Sequence, residues 1–283
     1  MLLTTNGLVT RSYTTGDGDH ILHLVTPTMG RISVIAKKNS KTSNRFAPVI
    51  QLFTWGNYEL YHKGDIYWLR NGSVLTPFYE LTSDLSAMAL ASYLCDITSD
   101  MTGEGEAAEE LLRLLLNGLY LLHKGEKSQG IVKGAFELRA MAMSGYCPDV
   151  EGCCVCGESH PELCYLDIMN GQLICADCQN SLNRQRVVDE ESRREMLGER
   201  RIICPMTASA LAAVRYVLSA ADKKVYSFEL TDGEEMRTFA RIAETYLLHH
   251  LERSFDTLSF YHSVRTDEVG FTPPSKPRKG EKA

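Results

Sequence analysis

The sequence predicts an α+β protein in which a small N-terminal β-barrel is followed by an α-helical bundle that carries a cysteine-rich insertion. In the first eighty residues, short β-rich runs alternate with turn residues. From residue 81 onward, apolar residues recur at helical spacing. Seven of the nine cysteines lie between Cys147 and Cys178, which indicates a metal site within the helical part.

The barrel prediction rests on five short strands in residues 1–80. The predicted strands are Asn6–Tyr13, His20–Thr26, Gly30–Lys37, Val49–Tyr61 and Asp65–Val74. Turn residues such as Gly16 and Pro27 separate them. Five such strands favour a small Greek-key barrel of the OB-fold type, and the pattern alone leaves an SH3-like barrel open.

The remaining chain is predicted to be mostly helical. The predicted helices are Asp84–Met101, Glu106–Leu122, Gln129–Ser144, Ala208–Ala220 and Glu234–Arg253. Five amphipathic helices are expected to pack as a bundle. The predicted domains are the barrel (1–80), the bundle (81–146 and 183–260), the insertion (147–182) and a disordered, proline-containing tail (266–283).

Two cysteine pairs define a metal site. Cys153 and Cys156 form one C-x2-C pair, Cys175 and Cys178 form the second, and eighteen residues separate the pairs. Two such turns can close a tetrahedron of sulfurs around one ion. We therefore predict one structural Zn²⁺ that joins the insertion to the bundle, with no open position for catalysis.

Three cysteines beside these four have other predicted roles. Cys154 is an alternative ligand to Cys153, but the x2 spacing favours Cys153. Cys147 and Cys164 are predicted to be packing residues.

The charge distribution separates the two halves of the chain. The net charge is −6, yet residues 1–80 hold eight Lys/Arg against five Asp/Glu, so their net charge is +3 and the remainder carries −9. A nucleic-acid surface is therefore expected in the barrel. We find no secretion signal and no apolar run of about eighteen residues, so we expect a cytoplasmic protein with no membrane contact.

Several motifs in order along residues 1–182 resemble the RecO family of the RecF recombination pathway. The motifs are Gly7-Leu8-Val9-Thr10-Arg11-Ser12-Tyr13, Thr26-Pro27 through Gly30-Arg31-Ile32, Phe136-Glu137-Leu138-Arg139, Gly145-Tyr146 and Cys153-x2-Cys156-Gly157. Their order and spacing make the match specific. One departure is Lys38, where the family usually has glycine.

The resemblance implies a DNA repair and recombination mediator. It implies an N-terminal OB-fold, a helical domain with a zinc finger, binding to single- and double-stranded DNA, and annealing of complementary strands. It also implies association with RecR, capture of the C-terminal tail of single-stranded DNA-binding protein (SSB), and indirect help in loading RecA at the nucleoid.

On this reading, basic residues of the barrel bind phosphates and aromatic rings stack on bases. The predicted DNA-binding residues are Arg11, Arg31, Lys37, Lys38, Lys41 and Arg45. Most rings of a small barrel belong to its core, and Tyr58 and Trp68 are the better stacking candidates. For the acidic, apolar SSB tail, the predicted contacts are Lys133 and Arg139 on the third helix.

Other functional classes fit the sequence less well. We find no phosphate-binding glycine loop and no nucleophile motif, so an enzyme is not expected. The alternative is a zinc-ribbon transcription regulator that reads duplex DNA through the cysteine insertion. Residues 150–178 contain acidic side chains and no Lys or Arg, which argues against it.

Overall fold

A computed structural model describes residues 1–38, 46–188 and 201–265, without the side chains of 185–188. Packing divides the chain into two units. Among the described residues, one contains Met1–Lys127 and Phe255–Arg265, and the other contains Ser128–Ser254. The domain boundaries predicted above stay a prediction, and the predicted tail, residues 266–283, lies outside the described residues.

The first unit begins with a five-stranded barrel. Its strands are β1 (Leu2–Thr14), β2 (His20–Thr26), β3 (Gly30–Ala36), β4 (Thr54–Lys63) and β5 (Ile66–Pro77). They close in the order β1-β2-β3-β5-β4, with β3 parallel to β5 and the other pairs antiparallel. This arrangement is an OB-fold. The sequence pattern had left both an OB-fold and an SH3-like barrel open, and the pairing of β3 with β5 identifies the OB-fold.

Strand alternation places the barrel core. Leu22, Leu24, Ile32 and Val34 are fully or almost fully buried, and they alternate with the outward residues of β2 and β3. The predicted strand Val49–Tyr61 begins later, at Thr54, because Phe46–Ile50 forms a turn closed by two backbone hydrogen bonds to the Phe46 carbonyl.

Three helices complete the first unit. They are α1 (Leu85–Asp100), α2 (Glu109–Lys124) and α7 (Asp256–Val264), and a short 3-10 helix (Tyr79–Ser83) precedes α1. Asp84 caps α1 by accepting hydrogen bonds from the Ser86 and Ala87 amides. Helix α7 was not predicted. It packs on α1, where Thr257 donates a hydrogen bond of 2.9 Å to Asp96.

The second unit combines helices with a small sheet. Its helices are α3 (Gln129–Met143), α4 (Ala176–Val188), α5 (Ala208–Ser219) and α6 (Gly233–Leu251). Its strands are β6 (Leu163–Asp167), β7 (Gln172–Cys175) and β8 (Ile203–Thr207), in the order β7-β6-β8. The five predicted helices are confirmed as α1, α2, α3, α5 and α6, whereas the three strands and α4 were not predicted.

Helices α3 and α6 approach closely at a glycine. A Cβ atom added to Gly134 would lie 2.5 Å from Cε1 of Phe239, whose ring is fully buried. The absent side chain therefore makes room for the ring, and the two helices share a tightly packed surface. Among the described residues, no helix is long and apolar enough to span a bilayer.

We predict that Gly134→Ala destabilises the protein by about 1–3 kcal/mol, since the new methyl group overlaps a ring that has no free space to enter. Chemical denaturation monitored by circular dichroism measures this change. Gly16→Ala is the control, because a Cβ there meets nothing within 4 Å and should change stability by less than about 0.5 kcal/mol. Equal stability of the two variants would contradict the packing described for α3 and α6.

Candidate metal centre and nucleic-acid interface

Two tight turns present the four predicted cysteines. In the first, the Gly157 amide donates to the Cys153 carbonyl and the Cys153 amide donates to the Glu158 carbonyl, both at 2.8 Å. In the second, Cys175 ends β7 and Cys178 lies in the first turn of α4. The Cys154 amide donates to the Leu173 carbonyl at 2.8 Å and joins the first turn to β7.

The four sulfur atoms form a compact cluster. The Sγ atoms of Cys153, Cys156, Cys175 and Cys178 all lie within 4.8 Å of one another. Cys156 Sγ and Cys175 Sγ are 3.7 Å apart. Sulfurs bound tetrahedrally at about 2.3 Å from a zinc ion lie about 3.8 Å apart. The cluster therefore has the dimensions of a closed four-thiolate metal site.

The thiols of the cluster ionise unequally. Burial disfavours the Cys153 thiolate, but hydrogen bonds from the backbone amides of Cys175, Cys156 and Val155 outweigh it and lower the pKa of Cys153 to about 6. The neighbouring Cys175 and Cys156 thiols raise the pKa of Cys178. Four thiolates this close repel one another, so a bound cation is needed for all four to ionise together.

The cluster lies within a small group of apolar side chains in the second unit. Its local apolar cluster contains Ile174 and, partly buried, Leu182 beside the cysteines. Arg215 of α5 donates from Nε to the Val150 carbonyl at 2.7 Å and from Nη2 to the Glu151 carbonyl at 2.8 Å. A metal in the cluster would therefore connect β7 and α4 to a turn that α5 already holds.

The other nearby cysteines lie outside the cluster. Cys154 is exposed. Cys164 on β6 is fully buried, as expected for a packing residue. Cys147 is exposed, so the packing role predicted for it is wrong.

We predict that Cys175→Ser abolishes stoichiometric metal binding, because loss of one thiolate opens the tetrahedron. Elemental analysis of freshly purified protein should give about one metal ion per chain for the wild type and almost none for the variant. Thermal unfolding should also begin at a lower temperature, since metal binding contributes to folding. Cys147→Ser, at an exposed cysteine outside the cluster, should retain both properties. Equal metal content in the two variants would refute the four-cysteine site.

On the outer face of the barrel, strand register aligns a row of large side chains. Tyr13 pairs with Ile21, Ile21 pairs with Ile35, and Ile35 pairs with Trp68. Tyr13 is 49% exposed, while Ile21, Ile35 and Trp68 are partly exposed. We call these four residues the outer row. It crosses β1, β2, β3 and β5 with an aromatic ring at each end.

A polar row lies beside the outer row. Arg11 pairs with His23, which pairs with Ser33. His23 Nδ1 is 3.1 Å from Ser33 Oγ, and the Tyr13 and His23 rings are 5.9 Å apart. Burial, then the charges of Arg11 and Arg31, lower the pKa of His23. The lowered pKa keeps His23 mostly neutral near pH 7, so the cations of this part of the face are Arg11 and Arg31.

Two of the predicted DNA-binding residues also connect the barrel to α1. Arg11 Nη2 forms an ion pair with Asp96 at 2.7 Å, although 62% of the Arg11 side chain is exposed. Arg31 Nη1 donates to the Ser99 carbonyl at 2.9 Å. Their contact with DNA stays a prediction, and each has a structural role as well.

The predicted lysines lie at the end of β3, close to Trp68. Lys37 Nζ is 3.1 Å from Asp19 Oδ2 and 5.2 Å from the centroid of the Trp68 ring. Lys38 is exposed. The predicted contacts Lys41 and Arg45 lie outside the described residues.

The predicted stacking residues have different positions. Tyr58 is fully buried, its hydroxyl donates to the Val49 carbonyl at 2.9 Å, and burial raises its pKa. The stacking role predicted for Tyr58 is therefore wrong, whereas Trp68 faces outward. Sequence reasoning missed Tyr13, although its position two residues after Arg11 indicates the same strand face.

The residues predicted to bind an SSB tail form ion pairs within the second unit. Lys133 Nζ lies 2.8 Å from Glu137 and 2.7 Å from Glu244, with 3% of its side chain exposed. Arg139 donates to the Leu218 carbonyl at 2.8 Å and pairs with Asp222 at 2.9 Å. In this conformation both cations are engaged by carboxylates, and their contact with a partner stays a prediction.

Two family models match successive parts of the chain. The model described as Recombination protein O N terminal matches residues 1–78, and the model described as Recombination protein O C terminal matches residues 82–196. The first covers the barrel, and the second covers α1 through α4 with the cysteine cluster.

Curated proteins named DNA repair protein RecO are similar along most of the chain. The protein of Acetivibrio thermocellus is 25% identical over 262 residues, which cover 93% of this chain and 97% of that protein. The protein of Alkaliphilus metalliredigens is 30% identical over 178 residues, or 63% of this chain and 72% of that protein. That of Clostridium acetobutylicum is 24% identical over 238 residues, or 84% and 88%.

Proposed function

The chain belongs to the RecO family of DNA repair proteins, and on that premise we propose that it is a non-enzymatic recombination mediator whose barrel binds DNA strands. It binds single- and double-stranded DNA and anneals complementary strands. With RecR, it helps to load RecA onto DNA coated with SSB. Its place of action is the cytoplasm, at the nucleoid.

The outer row is the observation that supports this proposal most directly. Single-stranded DNA is bound by aromatic rings that stack on bases beside cations that contact phosphates. Tyr13 and Trp68 supply rings at the ends of the row, Arg11 lies beside it, and Lys37 lies over Trp68. The face formed by strands 2 and 3 is also where OB-folds bind oligonucleotides.

The charge distribution supports binding through the barrel. Residues 1–80 have eight basic and five acidic side chains, whereas the rest of the chain is strongly acidic. Because phosphate contacts provide most of the non-specific affinity for nucleic acid, a strand should follow the barrel and avoid most of the second unit.

We assign Zn²⁺ to the cysteine cluster. Thiolate ligands favour zinc among the common divalent cations, and four of them leave no position for water or substrate. The ion would then brace the second unit, and no catalytic step passes through it.

The protein partners are RecR and the acidic, apolar C-terminal tail of SSB, with RecA as an indirect partner. Lys133 and Arg139 are the proposed cations for the SSB tail. Because both are paired with carboxylates, tail binding there requires that these pairs rearrange.

We predict that Tyr13→Leu and Trp68→Leu each weaken binding of an oligothymidylate by about five- to a hundredfold, since leucine keeps apolar volume but removes the stacking plane. Fluorescence anisotropy with a labelled oligonucleotide measures the affinity. Tyr120→Leu removes a comparably exposed ring on α2 (46% exposed) and should bind like the wild type.

The same assay tests the proposal as a whole. A wild-type protein that does not bind the oligonucleotide in dilute buffer would refute the DNA-binding mediator. Binding to duplex DNA that is lost in Cys175→Ser but kept in the ring variants would instead support the zinc-ribbon regulator.

A further inference from the structure

The turn between β1 and β2 holds a carboxylate that is bound by the end of β3. Asp19 Oδ1 accepts a hydrogen bond from the Lys38 backbone amide at 2.8 Å. Asp19 Oδ2 lies 3.1 Å from Lys37 Nζ. The Asp19 carboxylate therefore accepts a hydrogen bond from a backbone amide and pairs with an ammonium group, and both partners lie on the face proposed to bind DNA.

The backbone of the turn sets the position of Asp19. The Thr15 amide donates to the Asp19 carbonyl and the Gly18 amide donates to the Thr15 carbonyl, both at 2.8 Å. Gly18 has a φ of +81°, and a Cβ added there would lie 2.5 Å from Cδ of Lys38. The Lys38 stem therefore packs directly on the turn, and the carboxylate and the two lysines form one assembled unit.

The same ammonium group covers an aromatic ring. Lys37 Nζ lies 5.2 Å from the centroid of the Trp68 ring, a distance at which a cation is attracted to the ring face. Trp68 is the β5 end of the outer row. In the free protein, Lys37 thus contacts both the carboxylate and the ring face that a base would use.

A backbone N–H and an ammonium that grip two oxygens of one anion form an arrangement that also suits a phosphate group. We propose that Lys37, the Lys38 amide and Trp68 form a subsite for one nucleotide of single-stranded DNA, and that Asp19 fills its phosphate position until a strand displaces it. This inference rests on the function proposed above and deepens it by assigning a residue that opposes binding.

Protonation of Asp19 does not free the phosphate position near neutral pH. Hydrogen bonds from the Lys38 amide and then from Lys37 lower the pKa of Asp19, so its carboxylate stays ionised. A competing anion must therefore take its place. The Lys37 side chain is 64% exposed, and exposed ion pairs of this kind are weak, so the exchange is easily reversed. Easy reversal suits a protein that binds strands and must then release the annealed duplex.

The test compares Asp19→Asn with Asp17→Asn by anisotropy on a labelled oligothymidylate. Both variants remove one negative charge from the same turn, but among the described contacts Asp17 has no lysine partner. Asparagine at position 19 can still accept from the Lys38 amide. We expect Asp19→Asn to bind about two- to fivefold more tightly than Asp17→Asn. Its salt dependence should also be steeper, by up to about 0.7 in the logarithmic slope.

A second pair of variants shows whether the effect passes through Lys37. In a Lys37→Gln background, Asp19→Asn and Asp17→Asn should bind equally, because the cation that Asp19 holds is gone. Lys37→Gln alone should bind more weakly than the wild type. Circular dichroism confirms that each variant is folded.

The outcomes separate the two proposals. If the wild type binds the strand and Asp19→Asn equals Asp17→Asn, the subsite is refuted and DNA binding by the barrel stands. If Asp19→Asn gains affinity equally with and without Lys37, the carboxylate acts through general charge and the subsite is again refuted. If the wild type does not bind, both proposals fail.

Discussion

The pairing of β3 with β5 is the constraint on which the rest of the first unit depends. It closes the barrel, so every strand has one face toward the core and one toward the outside. A shift of one residue in this register would exchange the buried and exposed sides of a strand. The observed register pairs Ile35 with Trp68. It thereby completes the outer row and places a ring beneath Lys37.

The barrel and the cysteine region differ in what accompanies their buried apolar side chains. In the barrel, apolar side chains of the inner face form the core, and the outer face carries rings and cations. Around the cysteines, buried apolar side chains of β6 and β7 (Leu166, Leu173 and Ile174) are accompanied by four clustered sulfurs that a metal could hold together. Backbone amides already lower the pKa of Cys153, which favours the thiolate that a metal requires. The two kinds of site therefore have separate physical bases: exposed rings and cations on the barrel, and clustered thiols in the second unit.

Sequence alone predicted the barrel, five of the helices and the four cysteines of the cluster, because each has a short-range signal: alternation, helical period or C-x2-C spacing. It did not predict α7, whose position depends on contacts of Phe255 and Thr257 with α1, more than 150 residues away in the chain.

Sequence reasoning also misjudged Tyr58, since the register that buries this ring is a property of the closed barrel. Lys133 looked like a surface cation because its partner Glu244 lies on another helix. Tyr13 went unnoticed for a similar reason, because its alignment with Trp68 needs three strand pairings.

We expect a single strand to lie across the outer face of the barrel without contacting the cysteine cluster. Ultraviolet cross-linking of an oligothymidylate to the whole protein, followed by peptide mapping, tests this directly, because aromatic rings stacked on thymine are well placed to cross-link. We expect cross-links in the peptides that contain Tyr13 or Trp68. Cross-links confined to residues 147–188, with none in the barrel, would contradict it.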